Sequence, residues 1–148
     1  MNELQELYRE VILDHNRQPR NFGELESASR VIEGVNPLCG DKMTLYLKID
    51  GDTLTDVSFK GTGCAISVAS SSLMTERVKG SSIADALGLF DKVHHMLTDD
   101  ASEPSEDMDK LAALAGVRQY PSRVKCASLA WHALKVGLTN SGENVSTE

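Results

Sequence analysis

Along these 148 residues the spacing of apolar positions switches from a helical period to a strand period and back, and each switch marks a set of elements. Leu4, Leu7, Tyr8, Val11 and Ile12 fall on one stripe and predict an amphipathic helix over residues 3–15 that docks on a core. Pro19, Asn21 and Gly23 end that pattern. From Val31 to Lys60 the period becomes two. Met43, Leu45, Leu47 and Ile49 alternate with Thr44, Tyr46 and Lys48, the pattern of a half-buried strand. Asp50-Gly51 signals a tight turn into a second strand through Leu54, Val57 and Phe59. The apolar phase slips between Leu54 and Val57, which predicts a bulge there. Val31 to Val35 supplies a third strand.

Beyond Gly61-Thr62-Gly63 the pattern turns helical. Residues 64–74 place Ile66, Ala69, Leu73 and Met74 on one side, among many small residues that suit close approach to another element. A further helix is expected from Ser81 or Ser82, capped by a Ser-x-x-Asp pattern ending at Asp85, with Ile83, Leu87, Phe90, Val93 and Leu97 as its apolar stripe. Thr98 to Asp109 is acidic, with Asp99, Asp100, Glu103, Glu106, Asp107 and Asp109, and reads as a solvated loop or helix start. Leu111, Leu114 and Ala115 predict a short helix stopped by Gly116. A last helix begins near Ser122 and carries Val124, Leu129, Ala130, Ala133 and Leu134. The polar tail from Thr139 is expected to fray. Strands followed by helices, with no dividing linker, predict one α+β domain over 1–148 with its core in about 3–138. Its centre is a small three-stranded antiparallel sheet with helices packed on it.

Composition narrows the class. Hydrophobic residues make up 41% of the chain and charged residues 25%, as in globular proteins. No apolar run reaches the roughly 20 residues that cross a bilayer. The net charge of −7 argues against nucleic acid and against an anionic membrane surface as partners. The start Met1-Asn2-Glu3-Leu4-Gln5-Glu6 has neither the basic residues nor the apolar stretch of a secretory signal, so a cytoplasmic protein with reduced thiols is expected.

The three cysteines are too few for a disulfide framework, and none belongs to a Cys-x-x-Cys pair. Cys39 lies in a loop leading into a strand, Cys64 at a helix start and Cys126 in the first turns of the last helix. A lone cysteine is commonly a small core hydrophobe, and Cys126 suits that reading best, since Leu129, Ala130 and Ala133 share its face. Electrostatics favour another. Helix N-termini stabilise thiolate, the form that binds metal and attacks sulfur, and Arg123 and Lys125 precede Cys126. Asp41 projects on the same side as Cys39 if the segment is extended. Three thiolates and one carboxylate form a tetrahedral set that suits Zn²⁺, with a formal charge of about −2 that Arg123 and Lys125 would offset. The same donors would equally hold a [2Fe–2S] cluster. Without a paired cysteine motif, the residues themselves lead no further than a thiolate metal site. His15, His94, His95 and His132 are not needed to complete the four ligands and read as structural or exposed.

The same residues carry a resemblance. Asn36-Pro37-Leu38-Cys39-Gly40-Asp41, Gly61-Thr62-Gly63-Cys64-Ala65-Ile66-Ser67 and Arg123-Val124-Lys125-Cys126-Ala127 resemble, in order, motifs of the IscU/SufU/NifU N-terminal iron–sulfur cluster assembly family. Leu7-Tyr8 through Pro19-Arg20-Asn21-Phe22-Gly23 is similar to the family's opening. The resemblance implies a SufE/NifU-like α+β fold and assigns Cys39, Asp41, Cys64 and Cys126 as metal or cluster ligands. In three respects the chain resembles the SufU type rather than IscU. Lys125 stands where IscU scaffolds have His, and Tyr120-Pro121-Ser122-Arg123-Val124-Lys125 replaces their Leu-Pro-Pro-Val-Lys motif. The stretch between Cys64 and Cys126 is also longer. A SufU-type resemblance implies a zinc-dependent sulfurtransferase served by a pyridoxal-phosphate cysteine desulfurase of the SufS type. Cys39 would then be the persulfide acceptor, and a downstream iron–sulfur scaffold or apoprotein the recipient. The alternative is a scaffold that builds a [2Fe–2S] cluster on the same four residues.

Overall fold

The computed structural model describes residues 3–37, 40–98, 106–117, 120–139 and 145–146. Helix α1 spans Glu3–Arg17. Strands β1 (Arg30–Asn36), β2 (Asp41–Asp50) and β3 (Thr53–Thr62) follow, then helices α2 (Ala65–Val78) and α3 (Ile83–Thr98). A 3₁₀ segment over Glu106–Val117, helix α4 (Pro121–Thr139) and the short strand β4 (Val145–Ser146) complete the order.

The expected three-stranded antiparallel sheet is present, with β2 central, β3 on one side and β1 on the other. Alternation puts Ile32 and Gly34 of β1, Met43, Leu45 and Leu47 of β2, and Leu54, Val57 and Phe59 of β3 on the inward face, all buried. Register aligns them: Ile32 faces Leu45, which faces Phe59, and Leu47 faces Val57. Gly51, at φ +65°, makes the turn between β2 and β3. The phase slip is a bulge, since Lys48 pairs with Asp56 and Ile49 with Leu54, leaving Thr55 as the extra residue. Its hydroxyl donates back to the Lys48 carbonyl at 3.2 Å.

Helices α2 and α4 cover the inward face and pack on each other. Six α2 hydroxyl and methyl side chains are small enough to let neighbours approach closely: Ser67, Ala69, Ser70, Ser71, Ser72 and Thr75 are all buried. Ser70 Oγ donates to the Ala127 carbonyl of α4 at 2.5 Å and accepts from the Trp131 indole N–H at 3.1 Å. On the other side, the ring of His15 in α1 hydrogen-bonds Ser72 Oγ through Nδ1 at 2.7 Å, and Val11 and Ile12 pack against the core. Ser82 caps α3 as expected, its Oγ accepting from Asp85 N at 3.0 Å.

Three features differ from the sequence expectation. The short helix expected at Leu111 is a 3₁₀ segment, whose three-residue period stacks buried Leu111, Leu114 and Val117 and leaves Ala115 only half-buried. Helix α4 starts at Pro121, where the missing N–H costs nothing because the first helical donors have no partner in the helix. In the tail expected to fray, Val145 and Ser146 pair in parallel with Gly34 and Val35 at the outer edge of β1. The outer edge of β3 is also met: Phe59 N donates to the Asn21 carbonyl and Gly23 N to the Phe59 carbonyl. Acidic positions 99–105 and Cys39 lie outside the described residues. Among the described residues no helix is long and apolar enough to cross a membrane.

Candidate metal centre

The inward alternation of β1 and β2 does not stop at apolar residues. Continuing past Ile32 and Gly34 it brings Asn36 inward, and continuing back from Met43 it brings Asp41 inward, so both polar residues are buried at one end of the sheet. They face each other in register, on either side of the Pro37–Gly40 connection in which Cys39 falls by sequence.

Asp41 meets the chain again where β3 gives way to α2. Its Oδ1 accepts from the backbone N–H of Cys64 at 2.8 Å. Cys64 is the N-cap of α2, with φ −69° and ψ 165°, and its Sγ accepts from Ser67 N at 3.4 Å. The sulfur therefore takes the place that a Ser or Asp oxygen takes in most caps. Gly63 makes this approach possible: a Cβ there would lie 2.5 Å from Asp41 Oδ1.

The third donor comes from α4. Cys126 is buried in the second turn of that helix, and its Sγ accepts from Asn36 Nδ2 at 3.5 Å. The same amide nitrogen also donates to Asp41 Oδ2, at 3.4 Å. An oxygen of Asp41 and the sulfurs of Cys64 and Cys126 all lie within 4.8 Å of one another. Three of the four residues singled out in the sequence thus converge from β2, the start of α2 and α4; the fourth, Cys39, lies outside the described residues. Two thiol sulfurs and a carboxylate oxygen are donors that Zn²⁺ accepts together, and each Asp41 oxygen keeps a lone pair beyond its hydrogen bond. The donor set fits the metal.

Arg123 and Lys125 lie in the turns before Cys126, Arg123 exposed and Lys125 half-buried. Arg123 is three residues from Cys126 and so neighbours it along the helix surface. No histidine joins the donors among the described residues. His94 and His132 instead meet edge to face beside Phe90, with ring centroids 5.5 Å apart. Burial, the neighbouring His94 and Lys135 hold His132 below the ordinary imidazole value. Asn36 is the site residue that the sequence does not single out, since there it is only the first residue of the Asn36–Asp41 motif. An Asn on the inward phase of a strand is the signal that marks it.

The comparisons with known proteins agree with this arrangement. Residues 7–140 match the family described as NifU-like N terminal domain. The chain is 44% identical over 135 residues to the zinc-dependent sulfurtransferase SufU of Bacillus subtilis (strain 168), covering 91% of each chain. It is 39% identical over 141 residues to the iron–sulfur cluster assembly scaffold protein IscU of Streptococcus pyogenes serotype M1, covering 95% of this chain and 88% of that one. Its fold superimposes with a TM-score of 0.83 on the crystal structure of an iron–sulfur cluster assembly scaffold protein assigned to the SUF system of Fervidobacterium islandicum AW-1. That pair is 37% identical and covers 91% of this chain and 98% of the other.

Proposed function

The chain belongs to the NifU-like N-terminal domain family, and on that footing we propose that it is a zinc-dependent sulfurtransferase of iron–sulfur cluster biogenesis. The observation that carries the reading is the convergence of Asp41, Cys64 and Cys126 within 4.8 Å beside the connection that contains Cys39. Asp41, Cys64, Cys126 and Cys39 would hold zinc. When bound, the metal supplies positive charge that keeps the thiols ionised at neutral pH.

The sulfur donor is a pyridoxal-phosphate cysteine desulfurase of the SufS type, carrying a persulfide on its own cysteine. The Cys39 thiolate attacks the outer sulfur of that persulfide. A new S–S bond forms on Cys39, the desulfurase S–S bond breaks, and the desulfurase cysteine leaves as thiolate. Asp41, Cys64 and Cys126 stay in place meanwhile, their positions fixed by the Cys64 N–H, the Ser67 N–H and the Asn36 amide. Arg123 and Lys125 lend positive charge to the thiolate-rich end of α4. The persulfide then passes to a downstream iron–sulfur scaffold or apoprotein. Such thiol chemistry suits the reducing cytoplasm. One apolar cluster runs from Ile32 to Leu138, which supports reading residues 1–148 as one domain.

The test is metal analysis with a desulfurase assay on the wild type and Cys39→Ser. The wild type should be colourless, hold about one zinc, as a tetrahedral four-ligand site does, and raise desulfurase turnover. Cys39→Ser should lose the stimulation and the persulfide. A variant that still accepted persulfide and stimulated fully would remove Cys39 from the acceptor role. The similarity to the IscU scaffold favours a second reading, in which the four residues build a [2Fe–2S] cluster; visible absorption from a stably bound cluster would establish it.

A further inference from the structure

Asn36 is the last residue of β1, has no exposed surface, and stands opposite Asp41 across the β1–β2 ladder. Its Nδ2 group is within hydrogen-bond distance of two side chains from different elements. One is Asp41 Oδ2 at the start of β2, at 3.4 Å, and the other is Cys126 Sγ on α4, at 3.5 Å. An amide nitrogen carries two hydrogens, so it serves both at once. Its Oδ1 is buried and has no hydrogen-bond partner among the described residues. Turning the amide over would set Oδ1 against the carboxylate and the sulfur and strip both of their donor, so the orientation follows from the two acceptors.

A buried amide used only to end a strand would have its oxygen satisfied too. Here the nitrogen side is employed on two metal donors while the oxygen side has no partner among the described residues. We propose that Asn36 is a positioning residue of the metal centre, its amide N–H groups holding the Asp41 carboxylate and the Cys126 sulfur in ligating position. The inference rests on the zinc reading above and assigns Asn36 no contact with the metal itself. Partners that orient metal ligands are worth roughly 10–100-fold in affinity when removed. A hydrogen bond to a sulfur also withdraws electron density from it, which tunes a metal–thiolate bond. Asn36 therefore sets both the grip of the site and the character of the Cys126 bond.

Asn36→Leu tests this, because leucine branches at Cγ as asparagine does but has no donor. Zinc affinity is read by competition with a chromophoric chelator, and the sulfur-to-metal charge-transfer band is read after substitution with Co²⁺. The thermal midpoint of the chelator-treated chain is measured alongside. The expected result is a roughly 10–100-fold loss of zinc affinity and a displaced Co²⁺ band, whatever the chelator-treated midpoint does. A purely structural role lowers the midpoint alone, with affinity within twofold of wild type and an unmoved band, and that result would overturn the proposal. If Asn36→Leu folds poorly, Asn36→Ser, with one donor too short to reach both acceptors, is judged by the same affinity and band. A wild-type chain that takes up neither zinc nor Co²⁺ removes the zinc reading itself. Wild-type uptake with an unchanged Asn36→Leu removes only the positioning role.

Discussion

Gly63 and Asp41 occupy what would be one space: the carboxylate of Asp41 sits where the side chain of any other residue at 63 would begin, 2.5 Å from its Cβ. That relationship places Oδ1 on the Cys64 N–H and turns the carboxylate toward the two sulfurs.

Gly63→Ala should therefore displace the carboxylate rather than fit beside it. Overpacking of this kind costs about 1–3 kcal/mol of stability. Zinc affinity should fall as well, since Asp41 can no longer hold its position. Thermal denaturation and chelator competition on the one variant measure both effects, and an unaltered zinc affinity would show that Asp41 is not a ligand.

Removing the metal should loosen the whole chain, because the donors come from three elements that are distant in sequence. A ligand bound only by the folded state at 100 times its Kd adds about 2.7 kcal/mol. For a chain of this length that amounts to a thermal midpoint roughly 5–10 °C lower after chelation. Restoring zinc should recover it. Differential scanning calorimetry before and after chelation gives the number directly.

Ser70→Ala strikes the junction of α2 and α4 without touching the donors. It leaves the buried Trp131 N–H and the Ala127 carbonyl without the shared hydroxyl. An unsatisfied buried donor costs about 1–3 kcal/mol. Trp131 is the only tryptophan, so its emission reports the change without interference. The expected outcome is a lowered unfolding midpoint in urea with zinc stoichiometry unchanged.

His15 gives a pH dependence with a definite sign. Burial chiefly, with the positive Arg20 nearby, holds its imidazole below the ordinary value of 6.5. The unfolded chain lacks that burial and binds more protons as the pH falls below 6.5, so stability declines with acidification through that range. In His15→Asn this contribution disappears. The wild type should lose thermal midpoint relative to the variant as the pH is lowered from about 7.5 to about 5.5. Parallel curves would mean that His15 titrates no differently in the folded chain.

Much of this was legible in the sequence because it depends on local rules. The Met43–Ile49 alternation set the inward face of β2, the Leu54–Val57 slip located the Thr55 bulge, and Asp50-Gly51 marked the turn. Cys64 and Cys126 are also recognisable, from a helix start and the first turns of a helix. What the pattern did not reveal depends on partners far along the chain. Asn36 looks like any loop asparagine until β1 is seen to continue one residue past Val35 and bury it. Val145 and Ser146 carry no strand pattern at all; they pair because the edge of β1 lies beside them. The 3₁₀ segment differs from the expected helix because Leu111, Leu114 and Ala115 satisfy a helical period as readily as Leu111, Leu114 and Val117 satisfy a three-residue one.

Val145–Ser146 on β1 and Asn21–Gly23 on β3 have a joint consequence. A three-stranded sheet has two borders, each a row of backbone groups able to recruit a strand from another molecule. Phe22, Val31 and Val35 stand exposed beside those borders, an invitation to such recruitment. Both borders are interrupted from within the chain itself, so two copies meeting sheet to sheet find no continuous template on which to polymerise.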